Sequence, residues 1–167
     1  MHAVPEQNPV LIRLCDYRAP AWRVESIAME VELGIDASEV ATRLQLRRDP
    51  AQAAPLRLDG ENLQLLSIAL DGRQLPASAY RYAGNVLEVD GVRDGSVLET
   101  RVRIRPARNT ALSGLYLSGT PERGFLLTQC EAQGFRRITF FPDRPDVLAR
   151  YTVTLRAARA RFPVLLA

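Results

Sequence analysis

Thr128–Asp146, reading T-Q-C-E-A-Q-G-F-R-R-I-T-F-F-P-D-R-P-D, concentrates the residues of this chain that could do chemistry. Gln129 and Glu131 stand two apart, so an extended backbone sends both side chains out of one face. Gly134 then permits a sharp turn, and two aromatics and a proline-bracketed acidic corner follow. A carboxylate and an amide held together at a strand end suit a small cationic group. The carboxylate pairs with the charge and the amide oxygen accepts a further hydrogen. The free amino terminus of a peptide is such a group; the plainer reading is a solvated pair at the end of a strand.

Other constellations carry less. Arg101, Arg103 and Arg105 form a stripe that could grip phosphates. It lacks interleaved aromatics, and outward strand positions are commonly charged for solubility. Asp143, Arg144 and Asp146 around Pro145 offer two carboxylates without a histidine or a third acid, a poor transition-metal set, and their spacing is not that of a calcium loop. A structural corner is the expectation there. The only histidine is His2, which argues against a Ser-His or Cys-His pair and against a His-rich zinc site. Cys15 and Cys130 do not make a disulfide framework, and buried thiols in a reducing compartment are expected.

The chain has 167 residues, enough for one domain with a sizeable core. Its formal charge is +3 and its pI about 9.2, which raises nucleic acid as a partner. All 22 basic residues are arginine, however, in an alanine-rich chain, and acidic residues share the same segments. That pattern reflects G+C-rich coding rather than a phosphate-binding face. No signal peptide is visible, since the apolar run Val10–Ile12 is cut by Arg13, and no stretch approaches the roughly 20 apolar residues that span a bilayer. The setting predicted is cytoplasmic, with neither nucleic acid nor membrane as a partner.

The elements that must position the Gln129–Glu131 pair read as strands. Residues 1–15 form a leader, and residues 16–167 an all-β domain. Ile27, Met29, Val31, Leu33 and Ile35 alternate with polar or small residues, and after a turn at Asp36–Ser38 the period returns in Val40, Thr42, Leu44 and Leu46. Shorter strands are predicted at Pro55–Leu58, Leu63–Leu70, Tyr80–Tyr82, Val86–Val89, Val97–Arg105, Leu115–Leu117, Phe125–Cys130, Arg137–Phe141 and Tyr151–Leu155, with turns at Asp71-Gly72 and Gly84-Asn85. No segment keeps a capped helical period. The fold class is an antiparallel β-sandwich, two sheets packed face to face. Ile27, Met29, Val31, Leu44, Val102 and Ile104 are the predicted core. The apolar stretch Phe162–Ala167 has no closing turn, which predicts a domain truncated before its natural end.

The segment from Thr128 through Tyr151 closely resembles the end of the amino-terminal domain of the bacterial aminopeptidase N family, zinc metallopeptidases of the gluzincin group. Asp16-Tyr17-Arg18-Ala19-Pro20 resembles the approach to that domain's first strand, and Ala54–Glu61 a strand and turn within it. Asn109–Tyr116 is similar to the family's N-T-x-L-x-G-L-Y segment. These ordered motifs cover about Asp16 to Leu155. The resemblance implies a saddle-shaped β domain beside a thermolysin-like catalytic domain. It also implies that Glu131 contributes, with Gln129 beside it, to the anionic pocket for the α-amino group of a peptide substrate.

The departures define the role further. The family's chemistry rests on a G-A-M-E-N loop and an H-E-x-x-H helix with a more distant glutamate ligand, and none of these occurs in this chain. Zinc, general base and transition-state stabiliser are expected in a catalytic domain absent from this sequence, which leaves substrate anchoring and one wall of the cleft to this chain and no metal of its own. The rival expectation is a stand-alone β-sandwich module that binds a protein or peptide without catalysis.

Overall fold

The computed structural model describes residues 13–166, so His2 and residues 1–12 of the expected leader lie outside the described residues, as does Ala167. Two long strands start the fold. β1 (Trp22–Leu33) and β2 (Ser38–Arg48) pair antiparallel, with Ile27 opposite Leu44 and Val31 opposite Val40. Alternation sends Ile27, Met29 and Val31 inward. Trp22 and Val24 are buried as well, but a bulge between Val24 and Ser26 shifts the phase. That extra residue is why the apolar period becomes regular only from Ile27.

β3 (Leu56–Asp59) follows, then β4 (Gln64–Leu70), β5 (Arg73–Gln74), β6 (Tyr80–Ala83), β7 (Val86–Val89) and β8 (Val97–Ile104). The β6–β7 turn has positive φ at both Gly84 (56°) and Asn85 (66°), the mirror-image turn whose twist suits a tight hairpin. β9 (Gly114–Ser118) and β10 (Phe125–Gln129) form a separate two-stranded ribbon. β11 (Arg150–Ala157) closes the set.

Three sheets result: six strands in the order β11-β1-β2-β8-β4-β5, three in the order β3-β7-β6, and the β10-β9 ribbon. One hydrophobic core joins the six- and three-stranded sheets, and all six predicted core residues belong to it. Burying each such side chain contributes about 1.5–3 kcal/mol. Every strand pair is antiparallel except β1 with β11, which is parallel, Ile27 lying opposite Tyr151. The predicted β class holds, with a third small sheet and one parallel pair added. Among the described residues the only helical turns are four 3-10 turns of three residues, and no helix is long and apolar enough to cross a membrane.

One predicted strand is absent. Arg137–Phe141 does not extend; Phe135–Arg137 is a 3-10 turn, and only Phe141 makes an isolated bridge, to Asp59. Ile138, Thr139, Phe140 and Phe141 are all buried, whereas a surface strand would bury every second residue. The run acts as a plug: Phe140 lies edge-on to Tyr82 at 4.9 Å between ring centroids. Thr139 joins Thr42 and Thr100 in a buried hydroxyl network, with Oγ1 separations of 2.8 Å and 3.3 Å.

Candidate functional site

The Gln129–Glu131 pair sits where the ribbon ends. β10 stops at Gln129, opposite Gly114 in the last rung with β9, and the chain turns through residues 131–134. Glu131 is therefore on a turn, not on the extended strand that two-residue spacing predicts. The Gly134 N–H donates to the Cys130 carbonyl at 2.8 Å and closes the turn. Gln129 Nε2 donates to the backbone carbonyl of Glu131 at 3.0 Å, so the amide touches Glu131 through its main chain and leaves the carboxylate free. Both side chains are exposed.

The turn is seated on packed backbone. A Cβ added at Gly134 would fall 2.4 Å from the Gln129 carbonyl oxygen and 2.8 Å from Ser113 Oγ, so no larger residue fits without displacement. Downstream, the Glu61 N–H donates to the Arg136 carbonyl at 2.8 Å, and Asp59 and Phe141 exchange backbone hydrogen bonds of 2.9 and 3.1 Å. The Asp143 N–H donates to Asp59 Oδ2 at 3.0 Å. These bonds stitch the segment after the turn to the end of β3.

Two guanidiniums follow Glu131 closely in sequence, yet both are committed elsewhere. Arg136 Nε donates to Asp143 Oδ2 at 3.1 Å and Arg136 Nη2 lies 3.6 Å from Asp59. Arg137 pairs with Glu61. Among the described residues no arginine forms an ion pair with Glu131, whereas Asp59, Glu61, Asp143 and Asp146 around it each have one. Its charge is available to an incoming cation.

The neighbouring features also have definite roles. The Asp143–Asp146 corner is structural, as expected: Arg144 donates to Asp146 Oδ1 and Oδ2 at 2.9 and 2.7 Å and to the Arg18 carbonyl at 2.9 Å, and the Tyr17 hydroxyl donates to Asp146 at 3.0 Å. The Arg144 hydrogen bonds hold the Asp146 carboxyl below its usual range, and Asp146 in turn raises the Tyr17 hydroxyl. A depressed carboxylate stabilises the fold above its unfolded pKa and loses that contribution as pH falls through the folded value. Acidification below about pH 4 is therefore expected to release Tyr17 from the corner, and Asp146→Asn should abolish the pH dependence. Tyr17 ring resonances followed by NMR from pH 6 to 2 check it; an unchanged midpoint in the variant would contradict it.

Two of the three stripe arginines share a single carboxylate. Arg101 and Arg103 converge on Glu39, Arg103 Nη2 at 2.6 Å. The expectation of buried thiols fails: Cys15 and Cys130 are both free and exposed, because one lies on the first 3-10 turn and the other where β10 runs out. Partial burial of its sulfur, with the Asp143 charge, still raises the Cys130 thiol. Sequence spacing alone missed the supporting residues, Asn109, Ser113 and Gly114, on the loop before β9. The turn-forming Asn and Gly were a signal for a loop, but nothing local shows that it carries the Glu131 turn.

No protein-family profile matches the chain. Aminopeptidase N of Caulobacter vibrioides is 44% identical over 159 residues, 95% of this chain and 18% of that protein. Aminopeptidase N of Escherichia coli K12 is 40% identical over 151 residues, 90% of this chain and 17% of its own length. The chain thus spans less than a fifth of the relatives it matches. Among solved structures, Legionella pneumophila aminopeptidase A in complex with aspartic acid superimposes with a TM-score of 0.78 at 28% identity, over 93% of this chain and 18% of that one. An M1 zinc metallopeptidase of Deinococcus radiodurans, bound to a Tyr-Ser-Ala substrate, shares the fold with a TM-score of 0.65 at 16% identity, over 82% of this chain and 33% of that one. With 40–44% identity over 90–95% of its length and the β architecture of a solved aminopeptidase, the chain matches the β-rich amino-terminal domain of the aminopeptidase N family.

Proposed function

We propose that this chain is the substrate-anchoring part of a cytoplasmic zinc aminopeptidase that removes amino-terminal residues from peptides. Glu131 receives the α-ammonium group, Gln129 offers its amide oxygen, and the turn forms one wall of the cleft. The observation that carries this reading is the exposed Glu131 carboxylate, held on a tightly seated turn with no ion pair among the described residues. An exopeptidase must recognise a charged chain end and exclude a longer chain, and a carboxylate at a closed end of the cleft serves both needs.

The described residues do not fit a zinc ion. No group of three or more His, Cys, Asp or Glu side chains among them could hold one, and no bond-breaking step runs through them. Zinc, when bound by the full-length enzyme, supplies Lewis-acid activation of water; this chain's residues bind and orient. The catalytic domain is the proposed partner of the exposed apolar side chains of this chain, Phe125 and Leu127 on the ribbon and Tyr151 and Val153 on β11.

The chain by itself is expected to bind no stoichiometric zinc and to cleave no aminoacyl substrate. Metal analysis of chelator-washed protein and a chromogenic aminopeptidase assay check both points. One tightly held zinc per chain would overturn the division of labour, and an open reading frame with no H-E-x-x-H after Ala167 would favour a stand-alone peptide-binding module.

A further inference from the structure

We propose that Asn109 is a positioning residue for Glu131: its carboxamide pins the loop on which the turn carrying the anchoring carboxylate is seated. The inference rests on the anchoring role proposed above. Asn109 Nδ2 donates to the Ser113 carbonyl at 2.7 Å and to the Leu115 carbonyl at 3.0 Å, while its Oδ1 accepts the Ala111 N–H at 3.1 Å. One half-buried side chain thus closes a loop whose backbone turns through positive φ at Leu112 (53°) and Gly114 (75°). No other side-chain hydrogen bond among the described residues ties residues 110–113.

This loop meets the Glu131 turn backbone to backbone. Gly114 pairs with Gln129 in the last rung of the ribbon. A Cβ on Gly114 would fall 2.6 Å from Arg137 Cβ and 3.1 Å from the Gly134 carbonyl oxygen, and one on Gly134 would fall 2.8 Å from Ser113 Oγ. Only the short Ser113 hydroxyl and the Arg137 Cβ intervene between the two turns, so a shift of the first passes largely to the second rather than being absorbed by a long side chain. Releasing the Asn109 loop should therefore displace Glu131 relative to the ammonium it meets. An ångström of misplacement at a positioned group costs on the order of 100-fold, and a partial shift correspondingly less. Asn109 makes no bond to Glu131 itself, so it acts through the loop.

The test uses the full-length enzyme. Asn109→Ala removes all three bonds; Asn109→Asp keeps the shape and the acceptor, removes the two donated bonds and sets a charged oxygen against the Ser113 and Leu115 carbonyls. Thr110→Ala, at an exposed neighbour with no side-chain hydrogen bond, is the control, and Glu131→Gln runs in parallel. KM and kcat are measured on a free-amine substrate and its acetylated counterpart, with zinc content and Tm. Both Asn109 variants are expected to raise KM for the free-amine substrate roughly 5- to 50-fold with kcat within about threefold. The double variant Asn109→Ala/Glu131→Gln should lose no more than Glu131→Gln alone, since both act on one contact.

Unchanged KM in the Asn109 variants beside an impaired Glu131→Gln enzyme would overturn the positioning role, as would additive losses. A fall in kcat that follows Tm and zinc content would mean structural support only, and also overturns it. Should Asn109→Ala not fold, Asn109→Ser, whose hydroxyl can donate one bond, carries the same comparison. An unaltered Glu131→Gln enzyme would instead sink the anchoring reading itself.

Discussion

Replacing Glu131 with Gln in the full-length enzyme is expected to lower kcat/KM on free-amine substrates by roughly 30-fold to several-thousand-fold. The carboxylate meets an ammonium inside a partly desolvated cleft, and truncating one partner of such a pair typically costs about 2–5 kcal/mol. The substitution keeps shape and removes charge, so it isolates the electrostatic contribution. Gln129→Ala should cost less, about 1–3 kcal/mol, because it deletes one neutral acceptor and the brace from Nε2 to the Glu131 carbonyl. Acetylated peptides should already be poor substrates and lose little more when Glu131 is changed. Measuring kcat/KM for free and acetylated substrates, with zinc content unchanged, decides the matter. A Glu131→Gln enzyme with full activity on free-amine substrates would return the residue to a solvated turn position.

Phe140→Ala should destabilise the domain by about 3–5 kcal/mol, a large share of the roughly 5–15 kcal/mol that a domain of this kind has in all. Phe140 is fully buried, and its ring fills the space beside Gly60, where an added Cβ would lie 2.3 Å from Phe140 Cε1. Tyr82 lies edge-on to the same ring, and its hydroxyl donates to the Gly60 carbonyl at 3.0 Å. Removing the ring leaves a cavity under the Asp59–Glu61 corner, which cannot collapse without breaking the backbone bonds that hold the segment after the Glu131 turn. Urea unfolding of the parent and variant chains reads the difference from the midpoint at constant slope. A loss under about 1 kcal/mol would show that the plug is not a packed part of the core. Phe140→Leu, which restores part of the volume, should recover a substantial fraction.

The fold and the family were legible in the sequence for different reasons. Alternation is a local property, so Ile27, Met29 and Val31 on one strand and Val102 and Ile104 on another declare their inward faces without tertiary information. The Asp71-Gly72 and Gly84-Asn85 pairs mark turns because few other residues adopt positive φ cheaply. The motifs from Asp16 to Tyr151 were enough for the family, and the relatives agree. Alternation fails where its assumption of a half-exposed strand fails. The run Ile138–Phe141 has strand-forming residues but is buried on every side, so it folds as a plug rather than extending.

The site divides in the same way. Residue types and spacing singled out Gln129 and Glu131, because a carboxylate beside an amide is a chemical property written in the chain. Only the tertiary structure decided their geometry. β10 ends at Gln129, opposite Gly114 at the start of β9, which places Glu131 on a turn, and Asn109 bonds the Ser113 and Leu115 carbonyls on either side of Gly114. Only the tertiary structure decided that the Glu131 carboxylate goes without an arginine partner as well. Arg136 and Arg137 stand close to it in sequence, but Arg136 is bonded to Asp143 with Asp59 beside it, and Arg137 pairs with Glu61, just past the end of β3. Sequence sets which groups are present, whereas burial, register and competition among ion pairs depend on segments that meet only when the chain is folded.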